Sequence, residues 1–155
     1  MRRVYVETSV WGMVPTDQNP TLRQPTLEFL GRCAVRGFLP HISDIVSHEI
    51  RQAPHSVQDA ILEQISLVKP LVLPLPPEVD VLAQRFIDLG VLPKRRHEDA
   101  QHVACALVNE LDLLVSWNYR HLANVAKTEA FNAVAVLAGV RGGLEIHTPL
   151  EVLGW

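Results

Sequence analysis

Short apolar runs alternate along the chain with longer segments in which apolar residues recur at helical spacing. The segments RRVYVE at 2–7 and DLLVSW at 112–117 contain continuous apolar stretches of the kind found in buried strands. Residues 100–111 instead carry apolar side chains at i, i+3, i+4, i+7, i+8 and i+11, a spacing that predicts one buried face of a helix. Because helices between strands serve as crossovers between strands of the same direction, the alternation predicts an α/β fold with parallel strands.

Weaker patterns complete the predicted order of elements. After a loop at 12–20, helices are predicted at 21–36, 43–50, 57–66 and 77–88 and within 129–140. Further extended segments are predicted at 37–43, 67–76 and 144–147. The last strand is predicted to lead directly into a short C-terminal helix.

Two proline-containing segments carry more specific predictions. Pro40 predicts that the strand at 37–43 lies at a sheet edge or pairs irregularly, because proline has no backbone N–H to donate. In the last segment, Thr148 has the position of an N-cap, Pro149 that of the first helical residue and Glu151 that of a capping-box partner.

The composition is that of one globular domain. Of the 155 residues, 48% are hydrophobic and 20% are charged, which provides material for a core and argues against disorder. With the order of elements, this predicts a single domain over residues 1–155, a three-layer α/β/α sandwich around a central, mainly parallel sheet of four to five strands. The net charge of −3 gives no general attraction to nucleic acid, so a polyanion would need a bound cation or the basic run at 94–96.

Two features bear on the compartment. No segment reaches the length of a transmembrane helix, and the apolar run before Glu7 is shorter than the apolar region of a signal peptide. The two cysteines, Cys33 and Cys105, stand among apolar neighbours, which favours buried, reduced thiols. These features predict a cytoplasmic protein with no membrane partner.

Acidic side chains stand close to predicted strand ends, where parallel sheets bind their ligands. Glu7 directly follows the first strand, Glu49 lies about two turns into the helix after the second, and Asp99 begins the helix that precedes the fourth. Converging carboxylates repel one another, and hard divalent cations such as Mg²⁺ or Mn²⁺ relieve that repulsion. A simpler interpretation of Asp99 also stands, because an acid at a helix N-terminus interacts favourably with the helix dipole.

Four segments together resemble the PIN-domain family of metal-dependent nucleases, which includes the VapC-like toxin nucleases of bacterial toxin–antitoxin pairs. The segments are VYVETSV, SDIVSHEI, HEDAQHVACALVNELDLLVSWNYRHLAN and IHTPLEVL, and they extend over essentially the whole chain. The long third segment is the most specific, because it joins acid, helix, strand and Trp-Asn in the order found in one PIN subgroup. The resemblance implies a PIN-like sandwich with acidic residues at the carboxyl edge of the sheet.

The resemblance also implies a set of catalytic, metal-binding residues. The first, second and third acids fall on Glu7, Glu49 and Asp99, with Mg²⁺ or Mn²⁺ as the cofactor. Two positions depart from the family pattern, since the first acid is commonly Asp and the position of Asn118 is often Asp as well. Asn118 is therefore expected to be a weak metal ligand. The loss of its charge is expected to weaken metal binding at a second site more than at the first.

Five more residues are expected to orient the ligands or to contact the substrate: Thr8, Ser9, Arg96, Glu98 and His102. For His102 a purely structural role beside the apolar stripe remains an alternative, and for Glu98 so does a plain helix-dipole charge.

The function implied by the resemblance is a metal-dependent endoribonuclease. RNA is the expected substrate, and a small antitoxin protein and a second copy of the chain are the expected partners. A PIN-like domain that binds RNA or a protein without cleavage is an alternative, motivated by Glu7 and Asn118. A phosphatase on a related sheet finds less support, because no Asp-x-Asp follows the first strand and no Gly-rich phosphate loop is present.

Overall fold

A computed structural model describes residues 1–15 and 19–155. Positions 16–18 of the predicted loop lie outside the described residues. One parallel sheet forms the centre, with strand order β3-β2-β1-β4-β5. The strands are β1 (Arg3–Val6), β2 (Leu39–Ile42), β3 (Leu71–Val72), β4 (Leu113–Val115) and β5 (Glu145–His147).

Helices connect the strands and cover both faces of the sheet, so the predicted α/β sandwich is confirmed. They are α1 (Thr8–Trp11), α2 (Pro20–Ala34), α3 (Asp44–Arg51), α4 (His55–Val68), α5 (Pro77–Asp88), α6 (His97–Val108), α7 (Val125–Leu137) and α8 (Pro149–Leu153). A 3-10 turn at Lys94–Arg96 leads into α6. Within the described parts of the chain, no helix combines the length and the apolar character needed to cross a membrane.

The core lies around the neighbouring strands β1 and β4 and around α6. Every residue of β4 is buried, and so are Val4, Tyr5 and Val6 of β1. The predicted apolar stripe is buried too, apart from the partly buried Val108, and α6 packs against α5. The end of β1 and the start of α6 are therefore held by the most deeply buried part of the molecule.

The prediction for Pro40 is wrong, because β2 is an interior strand paired with both β1 and β3. The backbone N–H of Leu39 donates to Arg2 in the direction of β1, at 2.9 Å. Since successive N–H groups of a strand point to opposite sides, the nitrogen of Pro40 faces the β3 side. Pairing with β3 begins only at His41, opposite Leu71, so the missing N–H removes no hydrogen bond from the ladder.

Helix boundaries also differ from the prediction in several places. The one-turn helix α1 was not predicted, because only four residues form it and no apolar periodicity can develop over that length. Helix α7 starts four residues before Glu129, where the side chain of Asn124 accepts from the N–H of Lys127. Helix α4 extends to Val68, which leaves β3 with only two residues of the predicted 67–76 segment.

Candidate metal centre

Glu7 lies at the point where the strand order reverses. From β1 the chain adds strands first on one side, to β2 and β3, and later on the other, to β4 and β5. In open parallel sheets, ligands bind beyond the carboxyl ends of the strands at such a point. Glu7 follows β1 directly and is only 5% exposed, and Ser116 follows β4 beside it. The Oγ of Ser116 donates to Oε2 of Glu7 at 2.8 Å, which joins the two strand ends.

One oxygen of the Glu7 carboxylate is fixed by several donors. Oε2 is the side-chain cap of α1, accepting from the N–H of Ser9 at 3.2 Å, and it also accepts from the hydroxyls of Ser9 and Ser116. The other oxygen, Oε1, faces Nε2 of His102 at 3.9 Å. The carboxylate is therefore oriented on one side and turned toward a histidine on the other.

His102 of α6 is completely buried, and both of its ring nitrogens have partners. Nε2 lies 2.5 Å from Oε1 of Glu49, and Nδ1 lies 2.7 Å from the hydroxyl of Tyr5. That hydroxyl lies 2.8 Å from Oγ of Ser43, the N-cap residue of α3. Burial, the largest effect, raises the pKa of Tyr5 well above its ordinary value, so the phenol keeps its proton. The imidazole is thus held in one orientation between α3 and β1.

Glu49 completes a three-residue cluster. Its Oε1 accepts from Oγ1 of Thr8 at 2.8 Å as well as contacting His102. One potential ligand atom from each of Glu7, Glu49 and His102 lies within 4.8 Å of the other two, so the cluster can hold a metal ion. Two carboxylates and an imidazole form a donor set that suits a divalent cation. We call these three residues the metal cluster.

His102 and Glu49 each stabilise the charged form of the other, so their pKa values shift in opposite directions. Burial alone would lower the pKa of His102, but its hydrogen bond to Glu49 and the charges of Glu7, Glu49 and Asp99 outweigh burial and raise the pKa above its ordinary value. Burial likewise acts to raise the pKa of Glu49, but the hydrogen bond and charge of His102 lower it. Without a metal ion, the two carboxylates therefore favour the protonated form of the imidazole.

Asp99 lies beside the metal cluster and not within it. Its Oδ2 accepts from Nδ2 of Asn118 at 3.3 Å and lies 4.0 Å from a guanidinium nitrogen of Arg96. Burial and then the nearby charge of Glu7 raise the pKa of Asp99 from its usual 3.8 to about 6. Among the described residues, Asp99 belongs to no set of three ligand atoms that converge as closely as those of the metal cluster.

Both polar atoms of the Asn118 side-chain amide form hydrogen bonds within the protein. Its Oδ1 accepts from the backbone N–H of His121 at 3.0 Å, while Nδ2 donates to Asp99. The oxygen that would bind a cation is therefore already engaged, and the side chain holds the Asp99 carboxylate in place. The neighbouring Trp117 packs in the core, because it is 6% exposed and its indole N–H donates to the hydroxyl of Thr26.

Two further predicted residues, Arg96 and Glu98, line a cavity at the mouth of the site. It has a volume of about 450 Å³ and is lined by Glu49, Arg95, Arg96, His97, Glu98 and Asp99. Burial and the charge of Glu49 raise the pKa of Glu98, so these two acids influence each other across the cavity. Thr8 and Ser9 bind the carboxylates of Glu49 and Glu7, as described above. Acidic and basic groups therefore face the same open space.

Tyr5, Ser43 and Ser116 contribute to the site but are absent from the predicted set. One signal for Tyr5 was available in the sequence, since a phenol in the middle of an apolar central strand requires a hydrogen-bond partner. Tyr5 is also two residues before Glu7 and so projects from the same face of β1. Its partner His102 is 97 residues away, and no local pattern could have identified it.

The fold and the metal cluster define a parallel α/β protein with a mixed carboxylate–imidazole site at the switch point of its sheet. No family model matches the chain, and no curated protein matches it.

Proposed function

We propose that this protein is a PIN-type, Mg²⁺- or Mn²⁺-dependent endoribonuclease that hydrolyses phosphodiester bonds in RNA. The observation that carries the proposal is the convergence of Glu7 and Glu49 at the carboxyl edge of the sheet, with Asp99 beside them. These are the three positions to which the PIN resemblance assigns the acids. Acidic residues 42 and 50 positions apart in the chain meet there, around a buried histidine.

The donor set supports a metal-dependent reaction. Glu7 and Glu49 would hold the cation, and the position of Asp99 at the cavity suits a third carboxylate that faces both cation and substrate. When bound, a divalent cation lowers the pKa of a coordinated water and polarises the scissile phosphate. Ser9 and Ser116 keep the Glu7 carboxylate in a single orientation, and Thr8 does the same for Glu49. Such preorganisation is what a hydrolytic site requires.

The cavity also supports a polyanionic substrate. Arg95 and Arg96 line the same space as Asp99, and guanidinium groups form strong, charge-assisted hydrogen bonds to phosphate oxygens. Because the net charge of the chain is −3, attraction to RNA depends on these local cations. A phosphate held by these arginines would lie in the same cavity as Glu49 and Asp99.

Cleavage assays with a single-stranded RNA test the proposal. We expect cleavage with Mn²⁺ or Mg²⁺, abolition by EDTA, and loss of most activity in Glu7→Gln and Asp99→Asn. The matched control is Asp59→Asn, because Asp59 is an exposed acid of α4 outside the metal cluster. RNA binding that is equal with and without EDTA, and without cleavage, would instead identify a PIN-like binding module.

The toxin role that the resemblance implies belongs to the same proposal. We expect induced expression of the wild-type chain to arrest bacterial growth and expression of Asp99→Asn to permit it. Co-expression of the small protein encoded by a neighbouring reading frame should restore growth. Arrest by both forms would separate toxicity from the proposed nuclease site.

A further inference from the structure

We propose that Nε2 of His102 is a direct ligand of the cation held by Glu7 and Glu49, and that the site consequently selects a first-row transition-metal ion such as Mn²⁺ over Mg²⁺. The inference rests on the proposed function only in assuming that the cluster binds a divalent cation. It adds a nitrogen ligand to a centre for which the PIN resemblance implies oxygen ligands alone.

The position of His102 is the first observation. The side chain is completely buried, yet Nε2 does not enter the apolar core that surrounds α6. It points between the two carboxylates, 2.5 Å from Oε1 of Glu49 and 3.9 Å from Oε1 of Glu7. A cation that binds these two carboxylate oxygens would have Nε2 as its nearest nitrogen.

The partner of Nδ1 is the second observation. In metal sites, a ligating histidine almost always uses its other ring nitrogen in a hydrogen bond that fixes the ring and its tautomer. Here Nδ1 is 2.7 Å from the hydroxyl of Tyr5, which is 2.8 Å from Oγ of Ser43. If Nδ1–H donates to Tyr5 and Tyr5 donates to Ser43, a cation that displaces the proton of Nε2 meets a lone pair directed toward the two carboxylates.

The choice of metal follows from this donor set. Mg²⁺ prefers oxygen ligands and gives up its water reluctantly, whereas imidazole is a good ligand for transition-metal ions. One of the three converging donors is a nitrogen, and the oxygen of Asn118 is occupied by the backbone of His121. A mixed set of two carboxylate oxygens and one imidazole nitrogen therefore suits a transition-metal ion better than Mg²⁺.

Mn²⁺ alone, added to the full chain without RNA, provides the test. Electron spin-echo envelope modulation of bound Mn²⁺ detects a directly coordinated imidazole nitrogen. We expect this ¹⁴N modulation in the wild type, its replacement by a ¹⁵N signal after labelling with ¹⁵N-histidine, and its loss in His102→Gln. The control is His48→Gln, since His48 is exposed and adjacent to Glu49 in α3, and this variant should retain the modulation.

Competition with Mg²⁺ tests the selectivity. The wild type should prefer Mn²⁺, and His102→Gln should lose most of that preference. Tyr5→Phe keeps the imidazole but removes the partner of Nδ1, so it should retain the ¹⁴N modulation and bind Mn²⁺ about 10- to 100-fold more weakly. This variant also provides a readout if His102→Gln fails to fold.

Two results would overturn the inference. One is Mn²⁺ bound to the wild type without ¹⁴N modulation, which would make His102 a positively charged neighbour of the ion and not a ligand. The other is an unchanged ratio of Mn²⁺ to Mg²⁺ affinity in folded His102→Gln. Neither result depends on RNA cleavage, so a protein that coordinates Mn²⁺ through His102 but cuts no RNA would refute only the nuclease proposal.

Discussion

At the scale of single residues, the site is governed by how buried carboxylates are stabilised. Glu7 receives hydrogen bonds from Ser9 and Ser116, and Glu49 receives them from Thr8 and His102. Asp99 has the weakest support of the three acids, a long hydrogen bond from Asn118 and a distant guanidinium. This difference in support predicts different responses to substitution.

Removing the charge of Asp99 should stabilise the metal-free protein. Because the pKa of Asp99 rises from 3.8 to about 6 on folding, the folded state binds more protons between these values, and stability falls as the pH rises through that range. Above about pH 6 the destabilisation is complete and amounts to on the order of 1 to 3 kcal/mol. Asp99→Asn should therefore raise the melting temperature in EDTA near pH 8, and the gain should disappear near about pH 4.

Melting curves of the wild type and Asp99→Asn at both pH values, all in EDTA, check this expectation. If Asp99 served only the dipole of α6, the substitution would lower stability by about 0.3 to 1 kcal/mol instead. A less stable variant near pH 8 would thus contradict the electrostatic argument.

Ser116→Ala should destabilise the protein, because it removes a donor to the buried Glu7 carboxylate. Hydrogen bonds to charged groups contribute about 1.5 to 3 kcal/mol, and Ser116 is itself fully buried. Urea unfolding in EDTA measures the loss. Ser66→Ala, at an exposed position of α4, is the control and should change stability by less than about 0.5 kcal/mol. Equal effects of the two substitutions would mean that the bond to Glu7 contributes nothing.

At the scale of elements, the ends of helices explain most of the agreement and disagreement with the sequence. The predicted capping box of α8 is present, with Thr148 and Glu151 each satisfying the other's backbone N–H. Ser43, the first residue of the helix predicted at 43–50, is the N-cap of α3. The start of α7 was predicted four residues too late. The helix begins at Val125, directly after its N-cap Asn124, and not within the predicted range 129–140.

Thr148→Ala should lower stability by about 1 kcal/mol, the usual cost of losing an N-cap. Thr148 is 1% exposed, and its hydroxyl is within hydrogen-bond distance of both the N–H and the carboxylate of Glu151. Thermal unfolding checks the loss against Thr21→Ala, an exposed threonine whose backbone N–H, and not its side chain, takes part in a cap. A melting temperature equal to that of the wild type would show that the cap does not stabilise α8.

At the scale of the whole molecule, metal binding should be coupled to folding. The metal cluster unites Glu7, directly after β1, with one residue of α3 and one of α6, so the unfolded chain lacks it. A ligand that binds only the folded state stabilises it by about 2.7 kcal/mol at a concentration about 100 times Kd. We expect Mn²⁺ to raise the melting temperature of the wild type and of Glu78→Gln, whose acid is exposed on α5.

In Glu49→Gln the gain from Mn²⁺ should be much smaller. That variant loses the charge that contacts His102 and that would bind the cation. An undiminished gain in Glu49→Gln would place the stabilising ion somewhere other than the metal cluster.

The sequence by itself determined the elements that depend on local physics. Helical spacing predicted α6, continuous apolar runs predicted β1 and β4, and their alternation predicted the parallel sandwich. The capping box of α8 involves residues three positions apart, so it too could be read directly. The same reasoning placed Glu7 at the end of a strand, where a parallel sheet binds its ligands.

Only the tertiary structure decided how the site is assembled. The sequence left His102 between a structural and a functional role, because its partners Tyr5 and Glu49 are 97 and 53 residues away. The placement of Pro40 in an interior strand likewise depends on where β3 begins to pair. Such contacts are set by strand register and helix packing, which arise from the whole core together. Local sequence patterns identify candidate site residues, and only the packing of the whole core determines which of them come into contact.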